Sequence, residues 1–223
     1  MSYYLIIVVL ILAVLEWVAA DRKWKIVEYF AKPATMLALL GWMWQGEGLG
    51  GSMLWFTIGV ICCLVGDVFL MLPWDLFIFG LLAFLLGHLA YIVGLNQVGP
   101  VFNLWGGVVI ILLVIYLTWF YHILATNMNS KGKSSLKIPV LIYSIVISLM
   151  VYSALMTWTR HAWPAEAALA ASLGAVLFFA SDSLLAWDRF VAPISHARLK
   201  VMMTYHFGQI GIILGAILYA LSR

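Results

Sequence analysis

The sequence predicts an all-α, polytopic integral membrane protein with eight transmembrane helices. Three observations carry that prediction. Apolar types make up 65% of the 223 residues and charged types only 9%, against about 45–50% and about 25% in an ordinary soluble domain, so this composition cannot build a water-facing surface. The apolar residues gather in stretches near the roughly 20 residues that a helix needs to cross the hydrocarbon core. The Lys and Arg residues fall almost entirely in alternate connections between those stretches, as they do in spanning proteins. The same composition excludes a disordered chain and a disulfide scaffold. A net charge of +3 without a basic stripe excludes a nucleic-acid binder.

The stretches are 3–20, 33–46, 53–72, 75–95, 101–125, 136–158, 165–187 and 198–221. The first is interrupted by Glu16 and has no positive region ahead of it, so it reads as a membrane helix and not a signal peptide. The second opens at Lys32-Pro33, which places Pro33 at the first helical position, where a missing N–H costs nothing. The third holds adjacent Cys62 and Cys63, a spacing suited to packing and not to a metal or a bridge. The fourth repeats Gly80, Gly87 and Gly94 every seven residues, a face for close helix contact. Beside that face, His88 and Tyr91 stand at i,i+3. The fifth is long and almost wholly apolar, the sixth opens at Lys137-Ile138-Pro139, and the seventh ends shortly after Asp182. The eighth carries Tyr205 and Gln209 at i,i+4 and the pair Gly211 and Gly215 in G-x-x-x-G spacing.

Connections as short as 72–74 and 96–100 leave no room for a soluble insertion, which predicts one transmembrane domain over 1–223. Lys-Pro openings and Gly-Asp or Ser-Asp endings recur four spans apart, which predicts a weak 4+4 parallel repeat. Ten of the twelve Lys and Arg residues lie in the connections 1–2, 3–4, 5–6 and 7–8; only Arg160 and Arg223 lie on the other side. The positive-inside rule then places both termini outside the cytoplasm. Trp24, Tyr29, Phe30, Trp42, Trp44, Trp74, Trp105, Trp158, Trp163 and Trp187 fall near span ends, where interfacial belts form.

The polar residues inside spans are few: Glu16, Asp67, His88, Asp182, His206 and Gln209, with Tyr91, Tyr205, Lys32 and Thr35 beside them. An ionisable group at mid-membrane costs about 2.5–3.5 kcal/mol, so it normally faces a partner or a wet cavity. Counted along alternating spans at about 1.5 Å per residue, nearly all of them fall in the cytoplasmic half. That distribution predicts a polar pocket open to the cytoplasmic leaflet. Each residue also has a structural reading: a helix-end cap or buried bond for the aspartates, interhelical glue for His88, the tyrosines and Gln209, snorkelling for Glu16 and Lys32. His206 ranks below the others, and His122, His161 and His196 sit at span ends. No His-rich zinc motif is present, and no metal is expected.

The stretches Ala31-Lys32-Pro33-Ala34-Thr35, Gly66-Asp67-Val68-Phe69-Leu70, Gly87-His88-Leu89-Ala90-Tyr91, Ser181-Asp182-Ser183-Leu184-Leu185 and Thr204-Tyr205-His206-Phe207-Gly208-Gln209 resemble the YhhN/TMEM86 family of membrane lysoplasmalogenases, from about residue 25 onward and in the same order. The resemblance implies hydrolysis of the vinyl-ether bond of a lysoplasmalogen, giving a fatty aldehyde and a glycerophosphocholine or glycerophosphoethanolamine. It implies no cofactor, and as partners a lysophospholipid substrate and membrane lipids. In a bacterium the site would be the inner membrane.

Such a bond is cleaved by protonating its β-carbon to an oxocarbenium ion, which water captures. That requires an acid and an anion, the two-carboxylate logic of glycosidases. Asp67 and Asp182 can divide the tasks, with His88 as base or water-positioning group. Lys32, Tyr91, Tyr205, Gln209, Thr35 and Glu16 are the candidate substrate-binding residues, Lys32 for the phosphate. The substrate tail has two routes, past His88 or sideways between spans. A small proton-coupled transporter and a non-catalytic lipid-binding protein are the alternatives.

Overall fold

The computed structural model describes residues 3–99 and 103–223, and the described residues contain helices and no strand. The α-helices are α1 (Tyr3–Arg22), α2 (Lys25–Glu47), α3 (Leu54–Met71), α4 (Phe77–Leu95), α5 (Leu104–Ser130), α6 (Lys137–Leu155), α7 (Ala165–Phe190) and α8 (Ala197–Leu221). Single 3₁₀ turns precede α3 and α6 and extend the end of α6. Seven of the eight helices are long and apolar enough to cross a membrane, and the chain is an integral membrane protein. Residues 101 and 102 of the expected fifth span, and Pro100 of the connection before it, lie outside the described residues.

Most helix ends fall within a few residues of the sequence expectation. The exception is α2, which begins at Lys25 and carries Pro33 inside the helix and not at its first position. Lys25, Glu28 and Lys32 interrupt the apolar pattern, so the apolar run marks the wrong start. The helix carries these charges because two of them find partners on other helices. Glu28 pairs with Arg198 of α8, and Lys32 pairs with Asp67 of α3.

Small residues set the closest approaches. A Cβ on Gly174 of α7 would lie 2.3 Å from the backbone nitrogen of Ile212, and one on Gly215 would lie 2.7 Å from the carbonyl oxygen of Ala167. Without those side chains the α7 and α8 backbones touch, as in G-x-x-x-G packing. The heptad of glycines on α4 does the same against α3: Gly80 meets Leu70, Gly87 meets Cys63, and Gly94 meets Phe56. Cys62 and Cys63 are free, as packing residues. The α8 helix is the most deeply buried of the seven apolar helices and packs on α7, α1, α2 and α3. The α5 helix lies at the periphery, on α6 and α7. Its start is capped by Asn103, whose Oδ1 accepts from the Gly106 N–H at 2.7 Å.

Trp24, Trp44, Trp74, Trp105 and Trp158 are exposed, as a belt requires. Trp42 and Trp163 are not: both are buried, and Trp163 stacks on Tyr219 with centroids 4.3 Å apart. Nearness to a span end fixes the depth of a side chain but not the direction it faces. In the α3–α4 connection, Asp75 accepts from Arg189 at 2.8 Å. The hydrogen bond and charge of that guanidinium hold the Asp75 carboxyl below the usual carboxylate range. The same guanidinium covers the Phe77 ring at 3.9 Å.

Candidate active site

The polar side chains converge at one end of the bundle in two adjoining centres. Asp67 lies about one turn from the end of α3 and is buried. Its Oδ1 stands 3.1 Å from Lys32 Nζ of α2, and its Oδ2 accepts from the Tyr205 hydroxyl of α8 at 2.6 Å. Both carboxylate oxygens are therefore occupied. In the second centre, Asp182 of α7 accepts a short hydrogen bond at Oδ2 from the Tyr143 hydroxyl of α6. His88 Nε2 of α4 lies 2.9 Å from the Tyr143 oxygen and 3.4 Å from the same Asp182 oxygen. A phenol has one proton to give; with that proton on Asp182, Tyr143 accepts from the His88 Nε2–H. His88 Nδ1 is buried without a hydrogen-bond partner among the described residues. Asp182 Oδ1 makes no hydrogen bond to the described residues and is not shut off from solvent space, and the side chain is 16% exposed.

Both aspartates line one cleft, together with Lys32, Tyr205, Glu28 and Arg198. Glu28 and Arg198 are paired at its rim, Glu28 buried and Arg198 half-exposed. Beneath lies an aromatic floor: Phe84 and Phe178 both meet Tyr205 edge-on, at 5.9 and 5.2 Å between centroids. A second cleft opens on the other side of Asp182 and is mostly apolar. Leu70, Phe84, Asp182 and Leu185 belong to both. Asp182 thus stands in the wall between a charged space and an apolar one.

Among the expected site residues, the fold unites Lys32, Asp67 and Tyr205 in one centre and His88 and Asp182 in the other. Three lie apart. Thr35 bonds its own helix, to the Ala31 carbonyl at 2.8 Å. Tyr91 donates to Gln209 Oε1 at 2.5 Å and bridges α4 to α8 outside both clefts. Glu16 is fully buried, and neither of its oxygens has a hydrogen-bond partner among the described residues. His206 accepts from the Trp17 indole at 2.9 Å and faces neither cleft. The described residues hold no cluster of metal-ligating side chains. Sequence reasoning passed over Tyr143, Glu28 and Arg198. Tyr143 lies less than two turns into α6, at a depth matching Asp182, so the depth criterion applied to every tyrosine would have found it.

The YhhN family profile matches residues 27–216. The chain belongs to the YhhN family. Lysoplasmalogenase TMEM86B of Mus musculus is 32% identical over 207 residues, which cover 91% of this chain and 80% of that protein. A lysoplasmalogenase of Mycobacterium tuberculosis is 32% identical over 195 residues, covering 79% of this chain and 69% of the relative. Lysoplasmalogenase TMEM86A of Bos taurus is 29% identical over 170 residues, covering 72% and 64%. No solved structure is significantly similar to the chain.

In this YhhN protein the two carboxylates have unlike surroundings. Asp67 is neutralised by an ammonium and held at both oxygens. Asp182 is held at one oxygen by a tyrosine and a histidine and presents the other to the cleft. Such a pair can supply a fixed compensated charge beside a movable proton.

Proposed function

We propose that this protein is a lysoplasmalogenase that cleaves the vinyl-ether bond with Asp182 as its proton-transfer group. The observation that carries the reading is the free Asp182 Oδ1 at the junction of the charged and apolar clefts. A lysoplasmalogen has the same division, with its scissile bond joining a polar glycerol to a hydrocarbon tail. The names of the relatives agree with it.

Asp182 gives a proton to the β-carbon of the vinyl ether, leaving positive charge shared between the α-carbon and the ether oxygen. Asp182, now anionic, and Asp67 across the cleft stabilise that cation. Water adds to the α-carbon and releases a proton to Asp182. The hemiacetal then breaks its bond to the glycerol oxygen, which takes up a proton, while the hemiacetal hydroxyl loses one to become the aldehyde. One water is consumed. His88 and Tyr143 fix the carboxylate and pass charge through their hydrogen bonds. The substrate phosphate sits at the rim, where Arg198 and the remaining N–H groups of Lys32 face the cleft. This reading includes eight crossing helices forming one membrane domain over residues 1–223, a weak 4+4 repeat, both termini outside the cytoplasm, and a cleft open to the cytoplasmic leaflet.

The test is aldehyde release by protein purified in detergent, from 1-alkenyl lysophosphocholine and lysophosphoethanolamine, with the saturated 1-alkyl ethers as controls. Asp182→Asn should lower kcat by about 10²–10⁴-fold, the usual worth of acid–base catalysis. Tyr143→Phe should lower kcat by a smaller factor and leave KM near its original value. Near-normal turnover by both Asp67→Asn and Asp182→Asn in folded protein refutes the mechanism. Absence of aldehyde release by the parent protein refutes the reaction.

A further inference from the structure

The apolar cleft beside Asp182 continues along the bundle. The α5 helix is buried at Gly106 and Val109 and again from Phe120 onward, but no residue from 110 to 119 is buried. The two ends are buried and the middle is half-buried to exposed, held by Tyr116, whose hydroxyl donates to Ser183 of α7 at 3.0 Å. The apolar cleft reaches this less buried stretch, lined there by Leu117, Tyr116 and Ile147. A further groove follows along the seam between α5 and α6, lined by Leu113, Ile110 and Tyr152, and Leu117 belongs to both. The two spaces meet at Leu117, so largely apolar surface leads from Asp182 through the first cleft to the seam. The alternative route past His88 is closed, because the imidazole is fully buried between Phe178, 4.7 Å away by centroids, and Tyr143, at 5.3 Å.

We propose that this groove, from Asp182 to the α5–α6 seam at Leu117, binds the single hydrocarbon tail of a lysolipid. The inference rests on the enzyme reading for the identity of the occupant. The argument for one tail, and not bulk membrane lipid, is continuity with a carboxylate. A groove that begins at a polar group in the wall of a charged cleft fits a molecule whose own polar group is joined to its tail there. The size agrees. From Phe120 to Ile110, α5 rises about 15 Å, and one leaflet of a roughly 30 Å hydrocarbon core accommodates one long tail over the same distance. Leu117 is then the position at which a short tail ends and a long one continues.

The test compares octenyl and octadecenyl lysophosphocholine as substrates for the parent protein, Leu117→Trp, Leu113→Trp and Leu112→Trp. Leu112 is 60% exposed and lines none of these grooves. Leu117→Trp should lower kcat/KM for the octadecenyl substrate by about tenfold or more, since the indole blocks the groove beyond that point, and should leave the octenyl substrate within about twofold. Leu113→Trp, one turn further along, should act only on the longer tail, and Leu112→Trp on neither. Equal losses on both tails, or no loss on either, overturn the groove while the enzyme reading stands. Equilibrium dialysis of radiolabelled octyl and octadecyl ether analogues, which are not hydrolysed, supplies the second measurement. Leu117→Trp should selectively weaken octadecyl binding relative to the parent protein. If that selectivity appears but no vinyl ether is cleaved, the groove stands and the enzyme reading fails. If Leu117→Trp binds both analogues as the parent protein does, the groove holds only bulk lipid and the proposal falls.

Discussion

Lys32 and Asp67 are both buried and 3.1 Å apart, and their worth to the fold differs from their worth to each other. A buried ion pair does little better than a well-packed apolar pair, whereas removing one partner strands a charge at a cost of about 3–5 kcal/mol. Lys32→Met should therefore lower the thermal midpoint in detergent sharply, with the Asp67 carboxyl left buried without its counter-charge. The double variant Lys32→Met with Asp67→Asn should recover most of the loss. A double variant as unstable as the single one contradicts this account, because then the lysine contributes through packing and not charge. The two aspartates and His88 were legible in the sequence because an ionisable residue inside a span is rare and costly. Tyr143 was harder to read, because a tyrosine inside a span costs little; its depth, matching that of Asp182, was the one local signal that could have singled it out. Glu16 shows the converse limit: sequence depth places it with the site, but the fold buries it with no hydrogen bond to the described residues.

At the scale of elements, helix boundaries were readable wherever a helix is apolar throughout, and failed at α2. There the sequence expectation of 33 gave way to an observed start at Lys25, because the charges that break the pattern are satisfied by residues more than thirty positions away. Pairings of that range leave no local trace in an apolar periodicity. The glycine spacing was more informative, since its requirement is local: the α3–α4 and α7–α8 contacts both occur where the repeats place them. These contacts predict unequal costs for the same substitution. Gly174→Ala would drive a Cβ to 2.3 Å from the Ile212 backbone, and backbone has no rotamer to relax into. It should separate α7 from α8, at a cost of about 1–3 kcal/mol or more, and displace both Asp182 and Tyr205. Gly107→Ala on α5 meets nothing within 4 Å and should be neutral or stabilising by up to about 1 kcal/mol. Thermal unfolding of the two variants decides it. Equal midpoints contradict the close approach of α7 and α8.

For the whole molecule, the number of crossings fixes which side the active end faces. Composition counts seven apolar helices, because Lys25, Glu28, Lys32 and Glu47 remove α2 from the tally. An odd count would put the beginning of α1 and the end of α8 on opposite faces. The proposed topology counts eight. The α2 helix has 23 residues, about 34 Å at 1.5 Å per residue and enough for a core of about 30 Å. It packs along α1 and touches α3 and α8. Two of its charges are buried in pairs, Glu28 with Arg198 and Lys32 with Asp67. With eight crossings, both chain ends share the face opposite the two clefts. The charge asymmetry then becomes sharper than its ten-to-two count. Arg160, one of the two exceptions, is buried and spends its guanidinium on the end of α4, donating to the Leu95 carbonyl and to Asn96 Oδ1, each at 2.5 Å. That arginine is a fastening of the fold and not a free charge at the membrane surface. A reporter that is active only outside the cytoplasm, fused after α8 in a bacterial host, should therefore be active. The same reporter inserted at Gly132 between α5 and α6 should be silent. Activity at Gly132 with silence after α8 would invert the molecule and turn the aspartate cleft to the outer leaflet. The crossing of α2 is read by the same reporter on its two flanks: it should be silent at Lys23, between α1 and α2, and active at Gly50, between α2 and α3. The same state at both would mean that α2 does not cross, and the odd count would be right.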